Sequence, residues 1–187
     1  MSSLRHPHLV ETYEYGEAGS GPLAPGSPFF TMELLECADL GGGIPAGPRR
    51  LARVALGLLA ALECVHGHGL VHGDVKPSNV FEDARGEGEG RIKLGDLGLA
   101  RRPRPAPGDG LLTGTLHYAA PERIAGGPTD GRSDLYSLGV LLYEAATGAL
   151  PFDEADPSAA LAWHLRAAPG GAYGGDASPP PALARVI

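Results

Sequence analysis

The chain has 187 residues, enough for one ordinary domain and few for two. Apolar residues make up 43%, which supports a real core, while 20% charged residues and a formal net charge of −7 argue against a nucleic-acid or membrane-surface binder working through bulk positive charge. No apolar run approaches a bilayer span, Met1-Ser2-Ser3 followed by Arg5-His6-Pro7-His8 lacks a signal peptide's apolar centre, and two cysteines without C-x-x-C spacing suit a reducing cytoplasm.

Residues 9–17 alternate apolar or aromatic with polar and predict a strand; Phe29 to Leu35 predicts a second, paired antiparallel across the turn chemistry of Gly19 to Ser27. After a loop from Gly41 to Pro48 the period changes. Leu51, Val54, Ala55, Leu58, Leu59, Leu62 and Val65 fall on one face of a four-turn helix, ended by Gly67 and Gly69. Residues 70–81 read as a loop segment, Glu82 to Gly90 as a solvated acidic turn, and 91–95 as a short strand. Residues 101–112, with three prolines and three arginines, read as loop. Ser133 to Thr147 is apolar nearly all round, the mark of a buried central helix stopped by Gly148 and Pro151. Pro157 to Ala168 predicts a weaker helix, Gly170 to Pro181 a loop, and Ala182 to Ile187 the start of another helix. Glycine (29) and proline (18) together account for about a quarter of the chain, so its loops are long.

The segment richest in chemistry is His72-Gly73-Asp74-Val75-Lys76-Pro77-Ser78-Asn79. A carboxylate, an ammonium and an amide at i, i+2 and i+5, stiffened by Pro77, can point into one small volume. Such a set suits phosphoryl transfer: an acceptor for a hydroxyl proton, a point charge for the moving phosphate and an oxygen ligand for a hard cation. Asp96, after the short strand, supplies a second carboxylate, and two oxygen ligands from adjacent hairpin strands make a reasonable magnesium site. Only Lys76 and Lys93 are lysine among 15 basic residues; either a compact charge is wanted at these places rather than a planar fork, or the choice is chance, and the count alone favours neither.

These residues resemble the protein kinase family. Residues 72–79 resemble the catalytic loop H-R-D-x-K-P-x-N with Gly73 in place of arginine, and Gly95-Asp96-Leu97-Gly98 resembles D-F-G. Gly114 to Glu122 resembles the end of the activation segment closing on A-P-E, and Ser133 to Gly139 the start of the central helix. His6-Pro7-His8-Leu9-Val10 resembles the junction after the C-helix. The resemblance implies an α+β fold: residues 36–187 as a mainly helical large lobe, incomplete at its C-terminus, and 1–35 as a remnant of the small lobe with the hinge strand. It implies ATP and magnesium (Mg2+) as cofactors and a protein serine or threonine hydroxyl as acceptor, in the style of bacterial serine/threonine kinases. In the roles carried over, Asp74 accepts the hydroxyl proton, Lys76 meets the γ-phosphate, Asn79 and Asp96 hold magnesium, and Thr115 bonds across to Asp74 and Lys76. Met32 is the gatekeeper, Glu33 and Leu35 offer backbone groups to adenine, Asp39 lies near the ribose, Phe81 lies under the adenine ring, and Asp134 holds the catalytic-loop backbone.

Several positions depart from the family pattern. The glycine-rich loop, strand lysine and C-helix glutamate precede the H-P-x-x-V junction, which begins here at residue 6, so the chain alone is expected not to turn over ATP. A pseudokinase-like interaction module and a non-functional gene fragment are the alternatives. Glu122 is expected to lack the arginine that pairs with the A-P-E glutamate, and Gly73 removes the usual receiver for a phosphate at Thr113. An apolar face around Val10, Tyr13 and Phe30 is expected to be exposed. Gly16 to Gly21 reads as a connector rather than a phosphate cradle, since it leads into no helix. Cys64, His66, His68 and His72 have no familiar structural-zinc spacing; Arg101, Arg102 and Arg104 read as a solvated loop, and Trp163 as packing.

Overall fold

The elements follow in the order β1 (Thr12–Glu17), β2 (Pro28–Met32), α1 (Pro48–Gly67), β3 (Val80–Asp83), β4 (Arg91–Leu94), α2 (Pro121–Ile124) and α3 (Gly131–Thr147); β1, β2, α1, β4 and α3 are the expected ones. The computed structural model describes residues 4–19, 21–22, 24–37, 40, 47–85, 90–97, 100, 116–151 and 162. The expected elements at 101–112, 157–168, 170–181 and 182–187 therefore lie, apart from residue 162, outside the described residues, as do Arg101, Arg102, Arg104, Thr113 and Trp163.

Helix α1 starts with Pro48 at its first position, where the missing N–H costs nothing, and it ends where Gly69 turns left-handed at φ 68°. Its buried face is Leu51, Val54, Gly57, Leu58, Ala61, Leu62 and Val65. Gly57 is needed for proximity: a Cβ there would lie 2.9 Å from the Ile92 Cβ and 3.1 Å from His8 Nδ1, so β4 passes directly over the helix. His8 Nδ1 in turn bonds the Ile92 carbonyl at 2.7 Å. Helix α3 is capped by Asp130, whose side chain accepts from the Arg132 N–H, and closes at Gly148 with φ 77°. Leu138 and Leu141 join Leu9, Leu58, Leu62, Val75, Val80, Ile92 and Leu94 in one core cluster between α1, α3 and the β3–β4 hairpin.

Among the described residues the antiparallel pairs are β1–β2 and β3–β4. In the first, Tyr15 faces Phe30 and Glu17 faces Pro28, with a register shift between Thr12 and Glu14. In the second, Phe81 faces Lys93 and Val80 faces Leu94.

Five sequence expectations are corrected. The first strand begins at Thr12, not residue 9, because Leu9 bridges to Leu94 and the Val10 N–H bonds the Leu94 carbonyl at 2.9 Å. Val10 is consequently 3% exposed rather than part of an open apolar face; Tyr13 and Phe30 are exposed as expected. The segments read as loop and acidic turn contain β3, and its Asp83 is buried while Glu82 is gripped by Arg50 and Arg53 from α1. The second strand stops at Met32, short of Leu35. On α3, Leu135 is exposed, so that helix is not buried on every side.

Candidate active site

The loop between α1 and β3 is shaped by a buried frame before any reactive group is placed. Its centre is Asp134, near the start of α3 and 1% exposed. Asp134 Oδ2 accepts the His72 N–H at 2.9 Å, and Oδ1 accepts the Gly73 N–H at 2.8 Å. His66 Nε2, from the last turn of α1, lies 2.8 Å from Oδ2. One carboxylate thus ties α1, the loop and α3 together, as the resemblance expects of Asp134. The His72 ring is fully buried, with Nδ1 accepting the Asp74 N–H at 3.2 Å and Nε2 placed 2.9 Å from the Gly95 carbonyl, to which it donates. Those roles suit the neutral ring. Burial pushes its pKa down, against the opposing pull of the Gly95 carbonyl and the carboxylates of Asp134, Asp74 and Asp96.

Gly73 sits at φ 78°, a left-handed conformation that costs an ordinary residue about 1–2 kcal/mol. That twist turns the chain so that Asp74 follows directly into the site. Arg123 from α2 donates to the Gly73 carbonyl, bracing the peptide before Asp74 from the other side.

On this frame Asp74, Lys76 and Asn79 converge. Asp74 Oδ2 lies 2.7 Å from Lys76 Nζ and accepts from Asn79 Nδ2 at 3.0 Å. Asn79 Nδ2 also donates to the Asp74 carbonyl at 2.8 Å, closing a small ring of bonds inside the loop. The amide nitrogen is spent on Asp74, which leaves the Asn79 oxygen as the end able to take a hard cation. Asp96 is exposed, at φ 59°, immediately after Gly95, and the Gly95 N–H donates to the Asn79 carbonyl at 2.8 Å. Asn79 and His72 therefore hold Gly95 by its N–H and its carbonyl, fixing the residue before Asp96. Gly95 has no room for a side chain, since a Cβ would lie 2.7 Å from the Phe81 ring.

Two oxygen donors of this kind fit magnesium, which keeps waters and phosphate oxygens in its shell rather than filling it with protein groups. Among the described residues no three His, Cys, Asp or Glu side chains gather as a metal cluster. Each histidine of the 64–72 segment is engaged elsewhere: His66 with Asp134, His68 with the Cys64 carbonyl, His72 with Gly95.

Beyond β2, the Glu33 N–H donates to the Glu11 carbonyl at 2.9 Å. Met32 and Leu34 are exposed, and Leu35 is half-buried. Phe81 lies on β3, half-buried over Gly95. Asp39 and Thr115 lie outside the described residues. Glu122 is not left without a partner, because the Ser133 hydroxyl donates to it; pairing across α2 and α3 could not be read from either segment alone. Near it the Tyr136 phenol is pushed up to about 12 by burial and by the Glu122 charge.

Lys93 is buried and its ammonium lies 2.5 Å from Glu33 Oε1, which also accepts the Glu11 N–H, while Arg85 reaches Oε2 at 3.1 Å. The rarity of lysine in the chain was the available signal.

The model of the protein kinase domain matches residues 1–168. The serine/threonine-protein kinase pkn2 of Myxococcus xanthus is 37% identical over 180 residues, a match covering 90% of this chain and 20% of that protein. A probable serine/threonine-protein kinase of Streptomyces coelicolor is 36% identical over 180 residues, covering 90% and 25%. The serine/threonine-protein kinase PknB of Mycolicibacterium smegmatis is 35% identical over 178 residues, covering 90% and 27%. The chain thus spans roughly a quarter or less of the length of these curated relatives. With its buried aspartate frame and its Asp74–Lys76–Asn79 loop, the chain belongs to the protein kinase domain family.

Proposed function

We propose that the chain carries the catalytic floor of a serine/threonine protein kinase, which transfers the γ-phosphoryl group of ATP to a protein serine or threonine hydroxyl. The observation that supports it is the meeting of Asp74, Lys76 and Asn79 within 2.7–3.0 Å on a loop whose backbone is clamped by Asp134. Asp74 orients the incoming hydroxyl and accepts its proton on its carboxylate, whose Oδ2 is held by Lys76 and Asn79. Lys76, already beside that carboxylate, neutralises charge on the transferring phosphate. Phosphoryl transfer is mainly positioning plus electrostatic stabilisation, so a pre-built pair of this kind is what the reaction needs.

Asn79 and Asp96 would hold magnesium, which neutralises phosphate charge when bound. The Glu33 carbonyl and Leu35 N–H would meet the adenine edge, Phe81 would lie beneath its ring, Asp39 would lie near the ribose, and Thr115 would bond across to Asp74 and Lys76. No helix among the described residues is long and apolar enough to cross a membrane.

The test is Asp74→Asn in the full-length protein. Phosphate transfer to a generic protein substrate should fall by about 10²–10⁴, while the dissociation constant for ATP stays within about twofold. Equal loss of both would remove Asp74 from the role of base. Absence of transfer from the unaltered protein, with ATP still bound, would favour an interaction module that binds nucleotide without turnover.

A further inference from the structure

The second lysine plays no part in the transfer chemistry, yet it is 8% exposed, and burying an ammonium demands close partners. Lys93 has them. Its Nζ lies 2.5 Å from Glu33 Oε1 and 3.3 Å from the Leu9 carbonyl. Glu33 completes its shell with the Glu11 N–H at 2.9 Å on Oε1 and Arg85 Nη2 at 3.1 Å on Oε2. Arg85 Nε and the same Nη2 also donate to buried Asp83, at 3.0–3.2 Å. Two cations and two carboxylates alternate, so the cluster is neutral as a whole. Burial by itself raises the Glu33 carboxyl, but Lys93, the Glu11 N–H and Arg85 outweigh it and keep the group below the usual carboxylate range, hence ionised.

The cluster joins two parts of the proposed nucleotide site. Glu33 is the residue whose carbonyl is assigned to adenine, and Phe81 is the residue assigned beneath the ring. Phe81 and Lys93 are direct cross-strand partners in the β3–β4 pair. The Lys93 ammonium therefore ties the Glu33 carboxylate to the same rung that carries Phe81. The Ala84 N–H reaches the Glu36 carbonyl at 3.3 Å, a long bond that adds little restraint of its own.

We infer that Lys93, through Glu33 and with Arg85 in support, is a positioning residue that sets the spacing between the adenine-facing backbone after β2 and the floor at Phe81. This rests on the adenine assignment made above. A compact ammonium fits the role, since one point charge meets both a carboxylate oxygen and a carbonyl there. Pre-setting the spacing raises affinity by removing the ordering cost of the hinge backbone, and it acts on the base of the nucleotide rather than on its phosphates.

The 187-residue chain is titrated calorimetrically with adenosine and, separately, with magnesium tripolyphosphate. Lys93→Met, which keeps the length and removes the charge, should weaken adenosine about tenfold and change tripolyphosphate by less than about twofold. Arg85→Gln, at an exposed position, should weaken adenosine in the same direction by about threefold, and it carries the test if Lys93→Met does not fold. Equal weakening of both ligands, or unchanged adenosine binding in a folded variant, overturns the inference while leaving the adenine site standing. Failure of the unaltered chain to bind adenosine while it binds tripolyphosphate overturns the adenine assignment, and the inference with it.

Discussion

Replacing Asp134 by asparagine changes almost no volume and removes one acceptor, so its effect isolates the clamp on the catalytic loop. Asp134 receives the His72 N–H at 2.9 Å, the Gly73 N–H at 2.8 Å and His66 at 2.8 Å, all on two carboxylate oxygens. An asparagine can keep its oxygen toward His72 and His66, which sets its NH2 group against the Gly73 N–H. The other orientation keeps Gly73 alone. The better choice still loses one hydrogen bond to a charged acceptor, about 1.5–3 kcal/mol, and leaves an N–H unpaired at about 1 kcal/mol, the low end because Gly73 is half-buried. Asp134→Asn should therefore cost about 3 kcal/mol, a large share of the roughly 5–15 kcal/mol that holds a domain folded. Urea unfolding followed by far-UV circular dichroism reads the global loss. Amide hydrogen exchange at His72 and Gly73 reads the loop separately, and protection there should fall about 100-fold if the loop opens while α1 stays intact. A loss below about 1 kcal/mol with unchanged exchange at both amides would refute the clamp.

His72 is held below the ordinary imidazole range by burial, so the unfolded chain takes up a proton more readily than the folded one. Its contribution is complete above about pH 6.5 and declines as pH falls below that, by up to about 1.4 kcal/mol per unit; urea midpoints from pH 7.5 to 5.5 should show the decline, and His72→Asn should reduce it, with a remainder from His6, which burial also lowers. A decline of the same slope in His72→Asn would assign the effect to other groups. Gly57→Ala improves intrinsic helix preference by about 1 kcal/mol but presses a methyl within 2.9 Å of the Ile92 Cβ, so thermal melts should show net destabilisation of about 1–2 kcal/mol. A raised melting temperature would mean that β4 does not lie so close on α1.

Much of this protein is legible wherever the determining residues are neighbours in the chain. Leu51, Val54, Leu58, Leu62 and Val65 are spaced for one helix face, and that face is buried in α1 because helical geometry alone brings i, i+3, i+4 and i+7 together. Alternation likewise produces β1 and β2 in antiparallel register. Asp74, Lys76 and Asn79 span six residues around Pro77, so a single turn suffices to gather them, and their meeting could be read from spacing.

The tertiary structure decided everything that depends on a partner far along the chain. Glu82 looks like a residue of a solvated turn until Arg50 and Arg53, 32 and 29 residues earlier on α1, arrive beside it in β3. Val10 has the side chain of an exposed edge and is covered only because its backbone crosses to Leu94, 84 residues further on. Lys93 and Glu33 are 60 residues apart, and Glu122 on α2 meets the Ser133 hydroxyl on α3 only once the chain has folded. A charged side chain carries no mark in the sequence that says whether water or an opposite charge will solvate it; desolvation and pairing are settled together, when the fold brings the second charge within about 3 Å.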